Sequence, residues 1–307
     1  MACYTPLKVH RLDDGTISFK ARMFEGDALN LACGQCIGCR IARSKMWAIR
    51  CMHEASLYEN NCFLTLTYDD QHIPIDGSLD YGHYQGFMKR LRKRFTGKKI
   101  RFYMCGEYGD LNLRPHYHAI IFNHDFEDKT LFFTSPTKHK VYRSEVLEDL
   151  WKFGQSSIGT VTEQSAGYVA RYVVKKIIGR GQDINPKTGK RFDSIYERIN
   201  PETGEIYNVP KEFTRMSLKP GIAKGWFDKY YNDVYPLDAI TSPGGQKQKP
   251  PRYYDTKYEE INPYQFEAIK QERIIQALKN HKESTPERLA VKKEILEAKN
   301  KRLIRSI

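Results

Sequence analysis

Two tyrosines lie four residues apart in the segment YVARYVVKK, which spans residues 168–176. Residues at this spacing share one face of a helix, so Tyr168 and Tyr172 could both reach the same phosphate group. A phenol has a pKa of about 10, and it attacks phosphorus at neutral pH only beside a cation, a metal or a base. Lys175 follows on the same helix and is a candidate to stabilise the phenolate or the charge that develops on the phosphate.

Three residues upstream of the tyrosines predict a metal site. His116 and His118 flank Tyr117, and alternate residues of a strand project to the same side. Glu107 ends the preceding predicted strand, and a hairpin would bring its carboxylate beside His116. Two imidazoles and a carboxylate form a three-ligand face whose open positions accept water or a phosphate oxygen. An oxygen-rich site suits Mg²⁺, whereas imidazoles shift the preference toward Mn²⁺ or other transition ions.

Each pattern also has a plainer interpretation. Paired histidines on a strand are often a surface pair or a satisfied polar face, and tyrosines among valines at helical spacing are often buried core. Two histidines and one carboxylate also bind iron in oxygenases. A non-enzymatic, zinc-containing DNA-binding regulator could hold the same residues in structural roles. The paired phenols and the carboxylate on the adjoining strand together favour a metal-dependent enzyme that cuts DNA.

The composition favours a polyanionic partner. The chain of 307 residues carries 50 Lys and Arg against 37 Asp and Glu, a net charge of +13, and its 40% hydrophobic residues suffice for a core. Nucleic acid is the expected partner. No apolar run approaches the roughly 20 residues of a membrane span, and the N-terminus lacks the apolar segment of a signal peptide. We therefore expect no membrane partner and a location in the cytoplasm of the host bacterium.

Alternating polarity predicts the strands that carry the candidate ligands. The segment FLTLTYDD, residues 63–70, has the period-two pattern of a central strand. Strands at about 99–106 and 116–122 would form a hairpin around the turn-forming sequence GDLNLRP. Helical patterns lie between these strands and after them. The sequence thus predicts an α+β fold in which helices flank an antiparallel sheet.

Helix boundaries follow from capping residues. Asp80 is the predicted N-cap of one helix, Ser144 and Gly154 are predicted to bound another, and Ser165 is predicted to open the tyrosine helix. The first of these helices has a basic outer face, which could be a solvated surface or could bind a phosphate backbone. That face is formed by Lys89, Arg90, Arg92, Lys93 and Arg94.

Composition shifts predict three stretches along the chain. Residues 1–60 form a Cys-rich N-terminal module that ends in a basic helix. Residues 61–235 form the core, with a Gly-, Asn- and Pro-containing insertion near 180–215. Residues 236–307 begin with a Pro, Gly and Lys linker and continue as a basic helical tail, in which Pro286 occupies a first-turn position.

A cysteine cluster predicts a second site. Cys33, Cys36 and Cys39 in CGQCIGC place three thiols in a tight turn, and Cys3, Cys51 or a histidine could complete a tetrahedral zinc site. An iron–sulfur site, a redox pair or simply buried thiols would give the same spacing. The chain has seven cysteines and lacks an export signal, so reduced thiols or metal ligands are expected in place of disulfides.

Three segments in chain order, FLTLTYDD, PHYHAIIF and YVARYVVKK, resemble the three motifs of the HUH endonucleases. The two-tyrosine form is similar to replication initiators of small single-stranded DNA phages. Most of the chain, including CGQCIGCR, MSLKPGIAKGWF and PRYYD, resembles initiators of gokushovirus-type Microviridae. The resemblance implies the HUH fold, with a central antiparallel sheet of about five strands flanked by helices.

The resemblance also implies residue roles and a reaction. His116 and His118 would bind the metal, Tyr168 and Tyr172 would be the nucleophiles, and Lys175 would be the accompanying lysine. The enzyme would nick single-stranded origin DNA, hold a 5'-phosphotyrosine link and rejoin strands in rolling-circle replication. Plasmid mobilisation or transposition by the same chemistry is the alternative. The sequence lacks a GxxxxGK[ST] phosphate loop, so a host helicase is expected beside the host polymerase.

Overall fold

The computed structural model describes residues 3–12, 16–19, 28–109, 112–175, 191–200, 202–235, 237–242 and 245–301. These residues form two compact units, one from 3–43 with 257–301 and the other from 44–256. The strands are β1 Leu7–Arg11, β2 Ile17–Ser18, β3 Ala28–Leu31, β4 Asn61–Thr67, β5 Arg101–Tyr108, β6 Pro115–Phe122, β7 Thr130–Thr134, β8 Lys140–Arg143, β9 Ser156–Gly159, β10 Glu197–Ile199, β11 Ile206–Asn208, β12 Phe213–Met216, β13 Ile240–Thr241 and β14 Lys247–Gln248. The helices are α1 Ile37–Ala55, α2 Tyr81–Arg94, α3 Glu145–Trp151, α4 Glu163–Lys175, α5 Lys224–Val234, α6 Arg252–Ile261, α7 Pro263–Lys279 and α8 Pro286–Lys301.

An antiparallel sheet organises the second unit and confirms the predicted α+β class. Seven described strands follow the order β12-β5-β6-β4-β9-β8-β7. Five of them, from β12 to β9, match the number that the family resemblance implies. The β7–β8 hairpin adds the other two strands at one edge, and every residue of β7 is exposed. Sequence alone did not predict this extension, because the hairpin has little core to bury and hence a weak hydrophobic pattern.

The two sides of the sheet are covered by different helices. One side, here called the core face, carries Leu64, Leu66 and Tyr117, which pack into one apolar cluster with residues of α2 and α3. The other side, here called the site face, carries Thr65 and His118, which are register partners on β4 and β6. The predicted alternation along FLTLTYDD is therefore confirmed, since neighbouring residues enter opposite sides of the sheet.

Helix α2 lies on the core face, and several of its cations have structural partners. Asp80 caps the helix by accepting a hydrogen bond from the Gly82 backbone N–H at 2.7 Å, as predicted. Arg90 Nε donates to the Leu150 carbonyl at 2.9 Å, and Arg92 Nη2 donates to the Ile100 carbonyl at 3.1 Å. These contacts favour the interpretation of the basic surface as a structural and solvated face.

Helices α1 and α4 cover the site face. The Trp47 indole of α1 stacks on Tyr103 of β5 with ring centroids 4.9 Å apart. The Ser44 hydroxyl donates to the Gly167 carbonyl of α4 at 3.3 Å, which ties the two helices together. A buried ion pair between Glu54 of α1 and Arg101 of β5, at 2.5 Å, fixes the far end of α1 against the sheet.

Gly154 does not cap α3 as predicted. Ser144 is the N-cap, and the helix ends at Lys152, which adopts the left-handed conformation with φ 60°. Gly154 has φ +138°, and a Cβ there would lie 2.3 Å from the Asp69 backbone nitrogen and 2.7 Å from the Thr67 carbonyl oxygen. The glycine is therefore required by a close approach of two backbone segments at the end of β4.

We expect Gly154→Ala to lower the free energy of unfolding by about 3 kcal/mol, because both the strained φ and the backbone overlap oppose any side chain. Gly77→Ala is the matched control, since Gly77 also has a positive φ of +64° but nothing lies within 4 Å of its added Cβ. The control should lose only about 1 kcal/mol. Urea unfolding of both variants measures the difference, and equal losses would contradict this role of Gly154.

A buried histidine makes stability depend on pH. His124 is 1% exposed, lies against Phe95 with ring centroids 4.3 Å apart, and has a pKa lowered by burial to about 4. An unfolded histidine has a pKa near 6.5. Between these values the unfolded chain gains a proton that the folded chain excludes, so acidification destabilises the fold.

We expect the free energy of unfolding to fall by up to about 3 kcal/mol through this group as the pH drops from 6.5 to 4. His124→Phe, which keeps the ring volume, should remove this part of the pH dependence. Denaturant unfolding at pH 7 and pH 5 provides the comparison. A variant with the same pH dependence as the wild type would rule out His124 as the source.

The segments after the sheet are partly as predicted. Strands β10 and β11 pair as an antiparallel hairpin within the predicted insertion, whereas residues 176–190 lie outside the described part of the chain. Pro286 begins α8, as its first-turn position indicated. Tyr254, in the stretch expected to be a linker, is buried and hydrogen-bonded to His53 at 2.8 Å. None of the helices in the described residues is long and apolar enough to cross a membrane.

Candidate active site

The register of β5 and β6 places the three predicted ligands together. Glu107 is the direct partner of His116, and His118 lies two residues along on β6, opposite Cys105. Partners in an antiparallel pair share a side of the sheet, so all three side chains emerge on the site face. Their donor atoms lie within 4.8 Å of one another. The hairpin predicted from sequence thus has the geometry that a shared ligand site requires.

The distances within this triad are short. His116 Nε2 lies 2.6 Å from Glu107 Oε1, and His118 Nε2 lies 3.1 Å from the same oxygen. Glu107 is only 2% exposed, so its negative charge requires compensation by neighbouring groups. Burial raises the pKa of the Glu107 carboxyl, but hydrogen bonds with the two histidines outweigh it and hold the pKa below its ordinary value. The carboxylate is therefore the favoured form.

Neighbouring groups orient both imidazoles. His116 Nδ1 lies 3.1 Å from the Arg114 carbonyl oxygen, which can only accept, so Nδ1 carries a proton and donates it. In the neutral ring the lone pair is then on Nε2, which faces Glu107. His118 Nδ1 contacts the Thr65 hydroxyl at 3.0 Å. Such outer contacts are typical of metal-binding histidines, because they fix the ring and its tautomer.

The triad fits a divalent ion by its donor set and spacing. Neighbouring ligands about 2.1 Å from an octahedral ion lie roughly 3 Å apart, and the observed contacts of 2.6 and 3.1 Å are close to this value. One carboxylate oxygen and two imidazole nitrogens suit Mn²⁺ or Mg²⁺. Three protein ligands would leave further positions of such an ion open to a substrate.

Helix α4 brings Tyr168 to this triad. The helix packs against β5, β6 and β12. The Tyr168 ring meets the His118 ring edge-on with centroids 5.0 Å apart, and it also contacts Phe63 at 6.4 Å. Val169 is fully buried on the same helix, so the valine is core while the neighbouring tyrosine faces the candidate ligands. Of the two predicted nucleophiles, Tyr168 therefore has an observed position beside the histidines.

Tyr172 and Lys175 belong to the backbone of α4, but their side chains lie outside the described part of the structure. The helical backbone places Tyr172 one turn beyond Tyr168 on the same face. That spacing agrees with the prediction from sequence. The roles assigned to both residues remain predictions.

A different residue from the predicted one begins α4. Ser165 was predicted to open the helix, but Thr162 holds the cap position, and the two side chains bond reciprocally. The Ser165 backbone N–H donates to Thr162 Oγ1 at 3.1 Å, and the Thr162 backbone N–H donates to Ser165 Oγ at 2.8 Å. This is the geometry of a capping box. It fixes the helix start, and with it the height of Tyr168 above the sheet.

A cavity of about 220 Å³ opens beside His118. It lies between β4, β9, the β8 strand of the edge hairpin and the first turn of α4. Its wall combines Phe63 and Phe133 with the polar groups of His139, Lys140 and Ser157. Aromatic rings beside a cation and hydroxyl groups are the chemistry that binds a nucleotide.

Comparison with known proteins identifies the family. Residues 61–177 match the family described as replication-associated protein ORF2, and this range contains the triad, Tyr168 and Tyr172. The chain is 32% identical over 272 residues to the replication-associated protein VP4 of Bdellovibrio phage phiMH2K, which covers 86% of this chain and 79% of that protein. The chain belongs to this family of phage replication-associated proteins. The predicted relationship to phage replication proteins is therefore confirmed.

Two further relatives of this replication-associated protein support the assignment. The replication-associated protein ORF2 of Spiroplasma virus 4 is 29% identical over 283 residues, which cover 84% of this chain and 81% of that protein. The replication-associated protein ORF4 of Chlamydia phage 1 is 39% identical over 171 residues, which cover 52% and 42% respectively. No solved structure matches the chain.

The cysteine cluster of this replication-associated protein forms in the first structural unit. The sulfur atoms of Cys3, Cys33, Cys36 and Cys39 all lie within 4.8 Å of one another. The structure thus brings together Cys3 and the CGQCIGC cysteines. Cys51, the alternative fourth ligand, is buried elsewhere on α1 and belongs to the second unit.

Sequence reasoning missed the groups that orient the histidines. Thr65 was predicted on a central strand but received no role, although it is the direct partner of His118. A signal was available, since a hydroxyl in the strand beside a His-x-His pair is well placed to hold one ring. The Arg114 carbonyl had no signal, because every residue carries the same backbone acceptor.

Proposed function

We propose that this replication-associated protein initiates DNA replication by nicking single-stranded origin DNA through a tyrosine nucleophile. The observation that carries the proposal is the position of the Tyr168 ring, 5.0 Å from the His118 ring and above the triad on the site face. A nucleophile beside a candidate metal site, in a protein with a net charge of +13, suits attack on a phosphodiester.

The proposed reaction is a transesterification. The phenolic oxygen of Tyr168 or Tyr172 attacks the scissile phosphorus, and a new bond from oxygen to phosphorus forms. The bond between phosphorus and the 3'-oxygen breaks, and the proton lost by the phenol balances the one gained by the released 3'-OH. The 5'-phosphate stays on the tyrosine. A 3'-OH can later attack this link in the reverse sense, so rejoining needs no ATP.

The residues of the triad have separate tasks in this scheme. Glu107, His116 and His118 would hold Mn²⁺ or Mg²⁺, which supplies Lewis-acid stabilisation of charge on the scissile phosphate. The buried carboxylate of Glu107 provides the negative charge that retains the ion. Thr65 and the Arg114 carbonyl keep both imidazoles turned toward that point. Lys175 is proposed to stabilise charge on the phosphate from the helix.

Two tyrosines have a purpose in rolling-circle replication. One tyrosine holds the displaced 5' end while the polymerase extends the 3'-OH around the circle. The second can then cut the regenerated origin, and the new 3'-OH resolves the first link into a closed circle. Single-stranded DNA is the proposed substrate, and the cavity beside His118 is positioned to take a nucleotide next to the cut.

A denaturing gel tests the proposal directly. Full-length protein is incubated with end-labelled single-stranded DNA that carries the phage origin, with Mn²⁺ or with EDTA. We expect a labelled adduct that migrates with the protein and depends on Mn²⁺. Absence of any adduct on every origin-bearing strand, with DNA binding intact, would overturn the proposal and leave a DNA-binding role in replication.

A further inference from the structure

The nicking chemistry leaves the cysteine cluster unexplained. Cys33, Cys36 and Cys39 lie in the turn before α1 and in its first turn, and Cys3 comes from the segment before β1. Their four sulfur atoms lie within 4.8 Å of one another, and the sulfurs of Cys3 and Cys36 are 3.9 Å apart. Thiolates about 2.3 Å from a tetrahedral zinc ion are roughly 3.8 Å apart, so the spacing fits this geometry.

Backbone donors surround these sulfur atoms. The Tyr4 N–H points to Cys36 Sγ at 3.3 Å, the Cys33 N–H to Cys3 Sγ at 3.2 Å, and the Cys36 N–H to Cys33 Sγ at 3.2 Å. Amide donors directed at sulfur stabilise thiolate charge, and such outer contacts accompany metal ligands. Ordinary buried thiols act as small apolar groups and need no such donors.

The turn between the first two cysteines supports the same conclusion. Gly34 has φ +72°, a left-handed conformation that favours glycine. This conformation directs the following amides back to the Cys33 sulfur, where Gln35 N–H also donates at 3.4 Å. The first turn of α1 then presents Cys39 to the same point. Local chain geometry thus converges four thiols from two separate segments.

We propose that Cys3, Cys33, Cys36 and Cys39 bind one zinc ion as a closed tetrathiolate site. Four protein ligands leave no position for a substrate, so the role is structural. The ion joins the segment before β1 to the start of α1. This site lies in the first unit and the Glu107 triad in the second, and sulfur and nitrogen–oxygen donors select different metals. The two sites can therefore be tested independently.

Metal content of the purified full-length protein tests the proposal. After dialysis against EDTA, the wild type should retain one zinc per chain by mass spectrometry of the elements. Cys3→Ala and Cys33→Ser should each lose most of this zinc. Cys51→Ala is the matched control, because Cys51 is a buried cysteine of α1 outside the cluster, and it should retain the full amount. His116→Ala should also retain zinc, which separates this result from any failure of the nicking proposal.

Cobalt substitution gives a measurement that does not depend on the variants folding. Wild-type protein in which Co²⁺ replaces the bound metal should show the strong thiolate charge-transfer and ligand-field bands of tetrahedral sulfur coordination. Iron at the site, no retained metal, or zinc that survives Cys3→Ala but is lost from Cys51→Ala would each overturn the proposal.

Discussion

The double variant Tyr168→Phe with Tyr172→Phe should form no covalent adduct with origin DNA. Phenylalanine keeps the ring that packs against His118 and Phe63 and removes only the hydroxyl. Without a phenol there is no oxygen to attack phosphorus, so the nicking rate should fall by at least about a thousandfold. The rate of adduct formation on a denaturing gel, with Mn²⁺ present, measures this loss.

The single variants assign the order of the two cuts. Adducts that persist in both singles indicate interchangeable nucleophiles, whereas loss in one single variant identifies the tyrosine that acts first. Tyr264→Phe is the control for general effects of removing a hydroxyl, because Tyr264 is 90% exposed on α7. An adduct that survives in the double variant would contradict the role of these tyrosines.

Changes to the triad should have the second largest effect. Glu107→Gln keeps the shape of the side chain and removes the buried negative charge, and His116→Ala or His118→Ala removes one nitrogen donor. Each should slow nicking by a factor of about a hundred to a thousand, because Lewis-acid stabilisation contributes several kcal/mol. Initial nicking rates measured across a range of Mn²⁺ concentrations report the effect, and a weakened site should require more Mn²⁺.

Binding and chemistry must be separated in this experiment. Affinity for single-stranded DNA in EDTA should be unchanged in the triad variants, since most of it comes from the basic surface. His72→Ala is the matched control, because His72 is an exposed histidine with 45% of its side chain accessible. Wild-type nicking in EDTA, or triad variants with full activity at low Mn²⁺, would contradict a metal role for these residues.

The triad was predictable because strand geometry is regular. The spacing of His116 and His118 sets a shared side of β6 whatever the tertiary contacts, and a hairpin turn leaves few registers for Glu107. The observed register pairs Glu107 directly with His116. Local periodicity and turn chemistry therefore sufficed to bring the candidate ligands together.

Other features depend on contacts between distant segments, which local patterns do not encode. Gly154 reads as a helix cap in sequence, but its requirement comes from the approach of the backbone of Asp69. The choice of Cys3 over Cys51 in the cysteine cluster depends on how β1 and β3 pair. Ser165 and Thr162 are both good caps, and only the geometry of the helix start distinguishes them.

The most direct test of the central claim is to identify the residue that carries the DNA. After reaction with single-stranded origin DNA and Mn²⁺, nuclease and protease digestion leaves a short nucleotide remnant on one peptide, which tandem mass spectrometry can locate. The proposed mechanism predicts a phosphotyrosine linkage at Tyr168 or Tyr172, with the remnant attached through its 5'-phosphate. A linkage at any other residue, or through a 3'-phosphate, would contradict it.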